Sequence, residues 1–310
     1  MLRNVLIFQQ AALGDFVSTW PMLLGISRVL AQHRVIVVTH ESKGRLAQRV
    51  VGVEYRDAEP WHSLYTETAE LGALGETQNR LLGEASLVIG LLAGDRPGTW
   101  LRNVKAVAPQ CQVAVLKARP SSTDEARPVS QFIIDQLHTG FGALATASNQ
   151  MLARIRSAGL MPNRVRGKHV VIHPGAGAVE KQWPIERFVE LASRLKGMNV
   201  PVRVVLGEAE TERMSREAIS TLENLAEVVR PLTYLDLLKE IQDAWTFVGN
   251  DSGPGHLAAI IGVPTVSLFG PASSAIVWSP VGPNVKVLQD AISLASITVD
   301  QVIDAIELAE

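Results

Sequence analysis

Short apolar runs rich in valine and isoleucine alternate along the chain with stretches of helical period, the pattern of parallel strands buried on both faces and joined by amphipathic helices. In the first half, VLIF (5–8), VIVV (35–38), LVIG (87–90) and VAVL (113–116) read as strands, and the helix after the first strand is expected to start near Asp15. Between residues 54 and 83 no period stands out and no element is assigned. The segment SAGLMPNRVRGK (157–168) follows neither period and mixes Gly, Pro and basic residues, so the chain divides there into domains 1–160 and 161–310. A second series then begins, with strands at HVVIHP (169–174), VRVVL (202–206), EVVR (227–230), TFVG (246–249), TVSLF (265–269) and VKVL (285–288). WPIERFVELASRLKG reads as a helix with Pro184 in its first turn and Gly197 as its C-cap, and T298-V-D-Q301 is a capping box opening the last helix. The expected class is α/β, with two Rossmann-like halves facing each other across a cleft and a last helix able to pack back on the N-terminal half.

Composition narrows the partners. Of 310 residues, 47% are hydrophobic and 19% charged, which suits a soluble globular chain with real cores and is too little charge for disorder. A formal charge of -2 argues against bulk binding of nucleic acid, which needs clustered Lys and Arg. A single cysteine, Cys111, forms no internal disulfide and belongs to no zinc-binding cluster, so a cytoplasmic setting is expected. No apolar run reaches the roughly 20 residues of a membrane span, and MLRNVLIFQQ is too short in apolar residues for a secretory signal. Membrane contact is therefore expected to be peripheral, at the cytoplasmic face.

Three turns carry the chemistry. NDSGPGH (250–256) crowds Asp251, Ser252, Gly253 and His256 together as a hydrolase triad would, but the nucleophile elbow G-x-S-x-G is absent and a triad converges from separate loops. It follows strand TFVG and precedes the helix PGHLAAIIG, expected to start at about Pro254, at the carboxyl end of a strand where α/β sheets bind ligands. Free N–H groups and the macrodipole favour a phosphate there, and Ser252 is placed to cap the helix or to donate to the anion. The competing reading is purely structural, with Asp251 and Ser252 as caps and His256 packed. The second turn, HPGAGAVEKQWP (173–184), adds a Gly-rich loop, including Gly175, and a lone Lys181 suited to a diphosphate, unless that lysine is merely solvated. In the third, QQAALGD (9–15), Gly14 permits a tight turn and Asp15 stands at a helix start, as an N-cap or as a base. Neither G-x-G-x-x-G nor a Walker A loop is present, which disfavours dehydrogenase and P-loop chemistry.

Taken together, A-L-G-D (12–15) with Pro21, H-P-G-A-G with K-x-W-P (173–184), G-E-A-E (207–210), N-D-S-G-P-G-H-L-A-A (250–259), and the following G-V-P-T and L-F-G-P resemble glycosyltransferase family 9, which contains the ADP-heptose:lipopolysaccharide heptosyltransferases. The resemblance runs from residue 12 to about 271. It implies a GT-B fold, an inverting transfer without an obligatory metal, an N-terminal acceptor domain and a C-terminal domain for a nucleotide sugar, ADP-linked in the heptosyltransferases. On that pattern Asp15 falls at the general base, Lys181 at the lysine that contacts the diphosphate, and Asp251 at a contact to the sugar hydroxyls. Gly175, Ser252, Gly253 and His256 fall in the donor turns. Glu210 falls near the ribose, with Glu208 and Glu212 competing for that place, and Leu232 lies against the adenine. The implied partners are a nucleotide-sugar donor and a glycan or glycolipid acceptor.

Two features depart from the family's pattern. Gln9 and Gln10 stand where many relatives carry basic or small polar residues, and residues 54–110 offer no basic cluster for a phosphorylated core sugar. Acceptor and donor sugar therefore stay open at this level. A nucleotide-sugar-binding protein or a sugar epimerase on the same fold is the alternative.

Overall fold

The computed structural model describes residues 3–67, 74–92 and 97–307. Contacts divide the chain into one unit of residues 1–125 with 129–151 and a second of residues 126–128 with 152–310. In the first, β1 (Asn4–Gln9), α1 (Leu13–Ser18), α2 (Trp20–Val29), β2 (Arg34–Thr39), α3 (Glu41–Val51) and β3 (Glu54–Asp57) come first. They are followed by α4 (Glu76–Gly83), β4 (Ala85–Leu92), α5 (Pro97–Val107), β5 (Gln112–Lys117), α6 (Val129–Asp135) and α7 (Gly142–Ala158). The sheet order is β3-β2-β1-β4-β5, all neighbours parallel. All six residues of β1 are buried, as expected of a central strand covered on both faces. One face packs Phe8 edge-on against Trp61 and Trp100, with centroids 5.2 and 5.4 Å away.

The sequence pattern shows no β3. Its residues, EYRD, lie half-buried at the sheet's edge, where no continuous apolar face is needed, and Glu54 pairs with Arg34 of the neighbouring strand at 2.8 Å.

The second unit contains β6 (Val170–His173), α8 (Ile185–Gly197), β7 (Val202–Val205), α9 (Glu208–Arg213), α10 (Arg216–Leu225) and β8 (Glu227–Val229). After these come α11 (Tyr234–Ile241), β9 (Thr246–Asn250), α12 (Gly253–Ile261), β10 (Thr265–Phe269), α13 (Ala275–Trp278), β11 (Val285–Gln289) and α14 (Val299–Glu307). Its parallel sheet runs β11-β10-β9-β6-β7-β8. The chain leaves β6 toward β7 but leaves β9 toward β10, so the winding reverses between two adjacent strands. That reversal opens a crevice at their carboxyl ends, which is where the second and first chemical turns emerge.

Two helix ends differ from the sequence reading. Pro184 is the N-cap of α8 rather than a helical residue, and Gly197 is still helical, with Met198 at the C-cap. The left-handed residue after this helix is Asn199 (φ 59°), a side chain that tolerates that conformation. The capping box of α14 forms as read: Thr298 N donates to Gln301 Oε1 at 2.8 Å and Gln301 N to Thr298 Oγ1 at 3.3 Å. Val299, Val302, Ile303 and Ile306 of α14 join Val170, Phe188 and Leu268 in the second unit's core. Among the described residues no helix is long and apolar enough to cross a membrane.

Candidate functional site

In the second unit, Asn250 ends β9 fully buried, and its amide is spent entirely on the neighbouring loop. Nδ2 donates to Pro174 O at 2.8 Å and Gly175 O at 3.3 Å, while Oδ1 accepts from Trp183 N at 2.9 Å. One side chain thus pins both ends of the segment that carries Lys181. Trp183 is buried in turn, with its indole N–H on Ile297 O at 3.0 Å and its ring edge-on to Phe188. Sequence reading passed over Asn250 because an asparagine before a turn looks like turn chemistry.

Lys181 Nζ lies 2.8 Å from Asp251 Oδ2, so the two turns meet through an ion pair. The same oxygen accepts Ser273 Oγ at 2.5 Å, and His256 Nε2 stands 3.8 Å from the other, Oδ1. Burial pushes the Asp251 carboxyl up, but His256, Lys181 and Ser273 together outweigh it and hold the group at about 2. The lysine is therefore paired rather than merely solvated.

The capping roles offered for this turn are not adopted. Ser252 is the N-cap of α12, yet its side chain makes no cap bond, and Oγ is buried with no protein hydrogen-bond partner. Asp251 spends its carboxylate on Lys181 and Ser273. The first N–H groups of α12 thus have neither carboxylate nor hydroxyl as a cap, and Gly253 and Pro254 open the helix. His256 follows on the next turn, 4% exposed.

Gly175 and Glu210, from two different motifs, prove to be in contact. A Cβ on Gly175 would lie 2.0 Å from Glu210 Oε1, so only a glycine leaves room for that side chain. Glu210 Oε2 accepts from Gly207 N at 2.9 Å, fixing the carboxylate at the start of α9. Glu208 and Glu212 are exposed, which separates Glu210 from its two competitors. Beneath lies His173, whose ring Nδ1–H donates to Val205 O at 3.0 Å. Burial pushes this imidazole down, against the pull of Glu210. Leu232 is 93% exposed just ahead of α11, free to cover a flat ligand.

In the first unit, Asp15 does not cap its helix. Ala12 holds the N-cap position without a side-chain bond, and Asp15 sits within the first turn, 7% exposed. Arg119 grips it with both prongs, Nε to Oδ1 at 3.1 Å and Nη2 to Oδ2 at 2.5 Å. Gly14 is helical rather than a turn residue, and its carbonyl accepts Ser18 Oγ. Lys43, buried on α3, donates to Gln10 O at 3.3 Å and Ala11 O at 2.5 Å, holding the loop that leads to Asp15. Burial lowers this ammonium and the nearby Asp15 opposes that.

Arg119 and Lys43 are absent from the sequence reading, although each lies within four residues of a strand's carboxyl end, the position that identifies the other site residues. Gln10 is exposed and Gln9 buried, with Gln9 Oε1 accepting Ala11 N at 2.7 Å, so the pair shapes this loop.

A cavity of about 410 Å³ lies at the other, amino end of the second sheet, between Met161, Arg164, Arg166, Pro264 and Asn284. Arg164 there donates to Gly262 O and Ala244 O, closing the end of α12. The cavity contains none of the chemical turns. Among the described residues no group of three or more His, Cys, Asp or Glu side chains is placed to hold a metal.

The family model of glycosyltransferase family 9 (heptosyltransferase) matches residues 84–301. The lipopolysaccharide heptosyltransferase 1 of Pseudomonas aeruginosa is 41% identical over 106 residues, 34% of this chain and 29% of that enzyme. The lipopolysaccharide heptosyltransferase 3 of Escherichia coli K12 is 29% identical over 130 residues, 39% of this chain and 36% of that enzyme. The alignments thus span about a third of these relatives. Among solved structures, the E. coli heptosyltransferase WaaC with ADP superposes with a TM-score of 0.71 at 17% identity, covering 99% of this chain and 100% of that one. That likeness bears on the fold, which is GT-B.

Proposed function

The chain belongs to glycosyltransferase family 9, and from that premise we propose that it moves a sugar, a heptose from ADP-heptose, onto a lipopolysaccharide core or related glycan acceptor, with inversion and without an obligatory metal. The observation that carries this reading is the turn after β9. An uncapped helix start with an unpartnered Ser252 hydroxyl stands beside an ammonium on a buried carboxylate, at the point where the sheet's winding reverses.

In this mechanism the first N–H groups of α12, Ser252 and Lys181 receive the diphosphate. As the bond from the anomeric carbon to the diphosphate oxygen breaks, negative charge builds on the departing ADP, and these fixed donors stabilise it more in the transition state than before. Glu210 accepts from the ribose hydroxyls through Oε1, and exposed Leu232 covers the adenine. Asp251 and His256 face the donor sugar. In the first unit, Asp15 accepts the proton of the acceptor hydroxyl as that oxygen attacks the anomeric carbon. The guanidinium fork of Arg119 occupies one lone pair on each Asp15 oxygen and leaves the others for that proton. Protein contact with a membrane, where the acceptor is a glycolipid, is peripheral in this reading.

The test is a donor panel. Calorimetry with ADP, UDP and GDP, followed by transfer assays with ADP-heptose, ADP-hexoses and UDP-sugars on core oligosaccharide, should select the ADP series and yield an inverted glycoside. Selective binding of UDP with conversion of a UDP-sugar and no acceptor would instead favour an epimerase.

A further inference from the structure

The loop after β10 brings one more polar group to the donor turn, from a strand that none of the assigned residues follows. Ser273, 8% exposed, donates its hydroxyl to Asp251 Oδ2, the oxygen that also accepts Lys181. The loop holding it has little freedom. Ser273 N closes a turn on Gly270 O at 3.3 Å, and a Cβ on Gly270 would stand 2.7 Å from Leu294 Cγ, so the backbone is pressed onto a buried leucine.

We propose that Ser273 is a positioning residue of the donor site, fixing the Asp251 carboxylate so that it holds the Lys181 ammonium beside the α12 N-terminus where the diphosphate lands. The proposal rests on the donor reading above and assigns Ser273 no contact with substrate.

The geometry accounts for the need. His256 stands 3.8 Å from the other oxygen, Oδ1, so without Ser273 the Oδ2 oxygen would be held by the flexible lysine alone and would shift with it. A hydroxyl from a clamped loop, donating to the same oxygen, fixes the carboxylate's rotation and hence the direction from which the ammonium approaches. The ammonium has three N–H groups, so one stays on Asp251 while the others turn to phosphate oxygens. Asp251 remains ionised throughout, because His256 and Ser273 keep supporting its charge when part of the lysine's is shared with the ligand.

The experiment is a double-mutant cycle on the full chain, with ADP affinity read by calorimetry and unfolding temperature recorded for each protein. Ser273→Ala should weaken ADP about tenfold, the scale of one hydrogen bond to a charged group. Ser273→Thr, which keeps the hydroxyl, should stay within about twofold of the parent. In a Lys181→Met background, Ser273→Ala should cost nothing further, since its effect passes through the lysine. Two results would overturn the proposal alone: parent-like ADP affinity in Ser273→Ala, or an equal loss in both backgrounds, which marks a direct contact or general loosening. If the parent protein binds no ADP, the donor reading falls and this proposal with it.

Discussion

At Asp251 two effects oppose each other, burial disfavouring the charge and three neighbours supporting it, and the neighbours win. Its folded value of about 2 lies below the ordinary 3.8, so the carboxylate favours the folded state above the unfolded value. That contribution, about 2 kcal/mol from the size of the shift, is complete above about pH 5 and disappears as the pH falls through 2. Urea unfolding between pH 2 and 6 should therefore show a steeper acid loss for the parent than for Asp251→Asn. Parallel curves would mean that the carboxylate is not supported as described. In the proposed mechanism Asp15 is the other residue with a chemical role. Asp15→Asn keeps a partner for one prong of Arg119 but removes the base, so transfer should fall by about 10²–10⁴-fold with ADP affinity unchanged. Turnover within a few-fold of the parent would take Asp15 out of the mechanism.

Loops and strand ends decide how these residues are held. Asn250→Ala would leave Pro174 O, Gly175 O and Trp183 N without their side-chain partner, at a cost of about 2–4 kcal/mol, and should lower both the unfolding midpoint and ADP affinity. Gly175→Ala behaves differently. Its methyl would meet Glu210 side-chain atoms, Oε1, Cδ and Cγ, rather than backbone, so the chain should fold with a smaller loss of stability than Asn250→Ala, chiefly the Gly207 N bond, while the carboxylate is displaced and ADP binds more weakly. Equal loss of stability in both variants would show that the loop, not Glu210, is what Gly175 protects.

The same elements show what can be read from a sequence. Ten of the eleven strands among the described residues were legible, because each carries a short run of apolar, mostly β-branched residues; β3 was not, because EYRD at the sheet's edge offers no such run. The chemical turns were legible as glycine-rich strand-to-helix junctions. The contacts between them were not: Ser273 with Asp251, Glu210 with Gly175 and Arg119 with Asp15 join positions 22, 35 and 104 residues apart, and no local period marks a partner at that range. Capping failed for the opposite reason. Ser252 and Asp251 have the right chemistry for caps, and tertiary partners or an open helix start took precedence.

For the molecule as a whole, the donor reading predicts stabilisation by ligand. ADP at about 100 times its dissociation constant should add about 2.7 kcal/mol to the second unit, with amide exchange slowed chiefly at residues 174–183, 250–256 and 270–274. Transfer should survive EDTA, since helix N–H groups and Lys181 supply the positive charge. Loss of activity restored by a divalent cation would overturn that part. The ion pair between Lys181 and Asp251 also bears on what the site refuses. A bare ammonium at an open helix start would collect whatever small anion is abundant, and each occupant would compete with the donor. Here the resident counter-ion is covalently part of the protein and cannot diffuse away. A lone monoanion gains little by arriving, whereas a diphosphate brings enough charge and enough acceptors to draw the lysine toward it. On the donor reading, the site is thereby kept available to a nucleotide sugar where small anions compete for it.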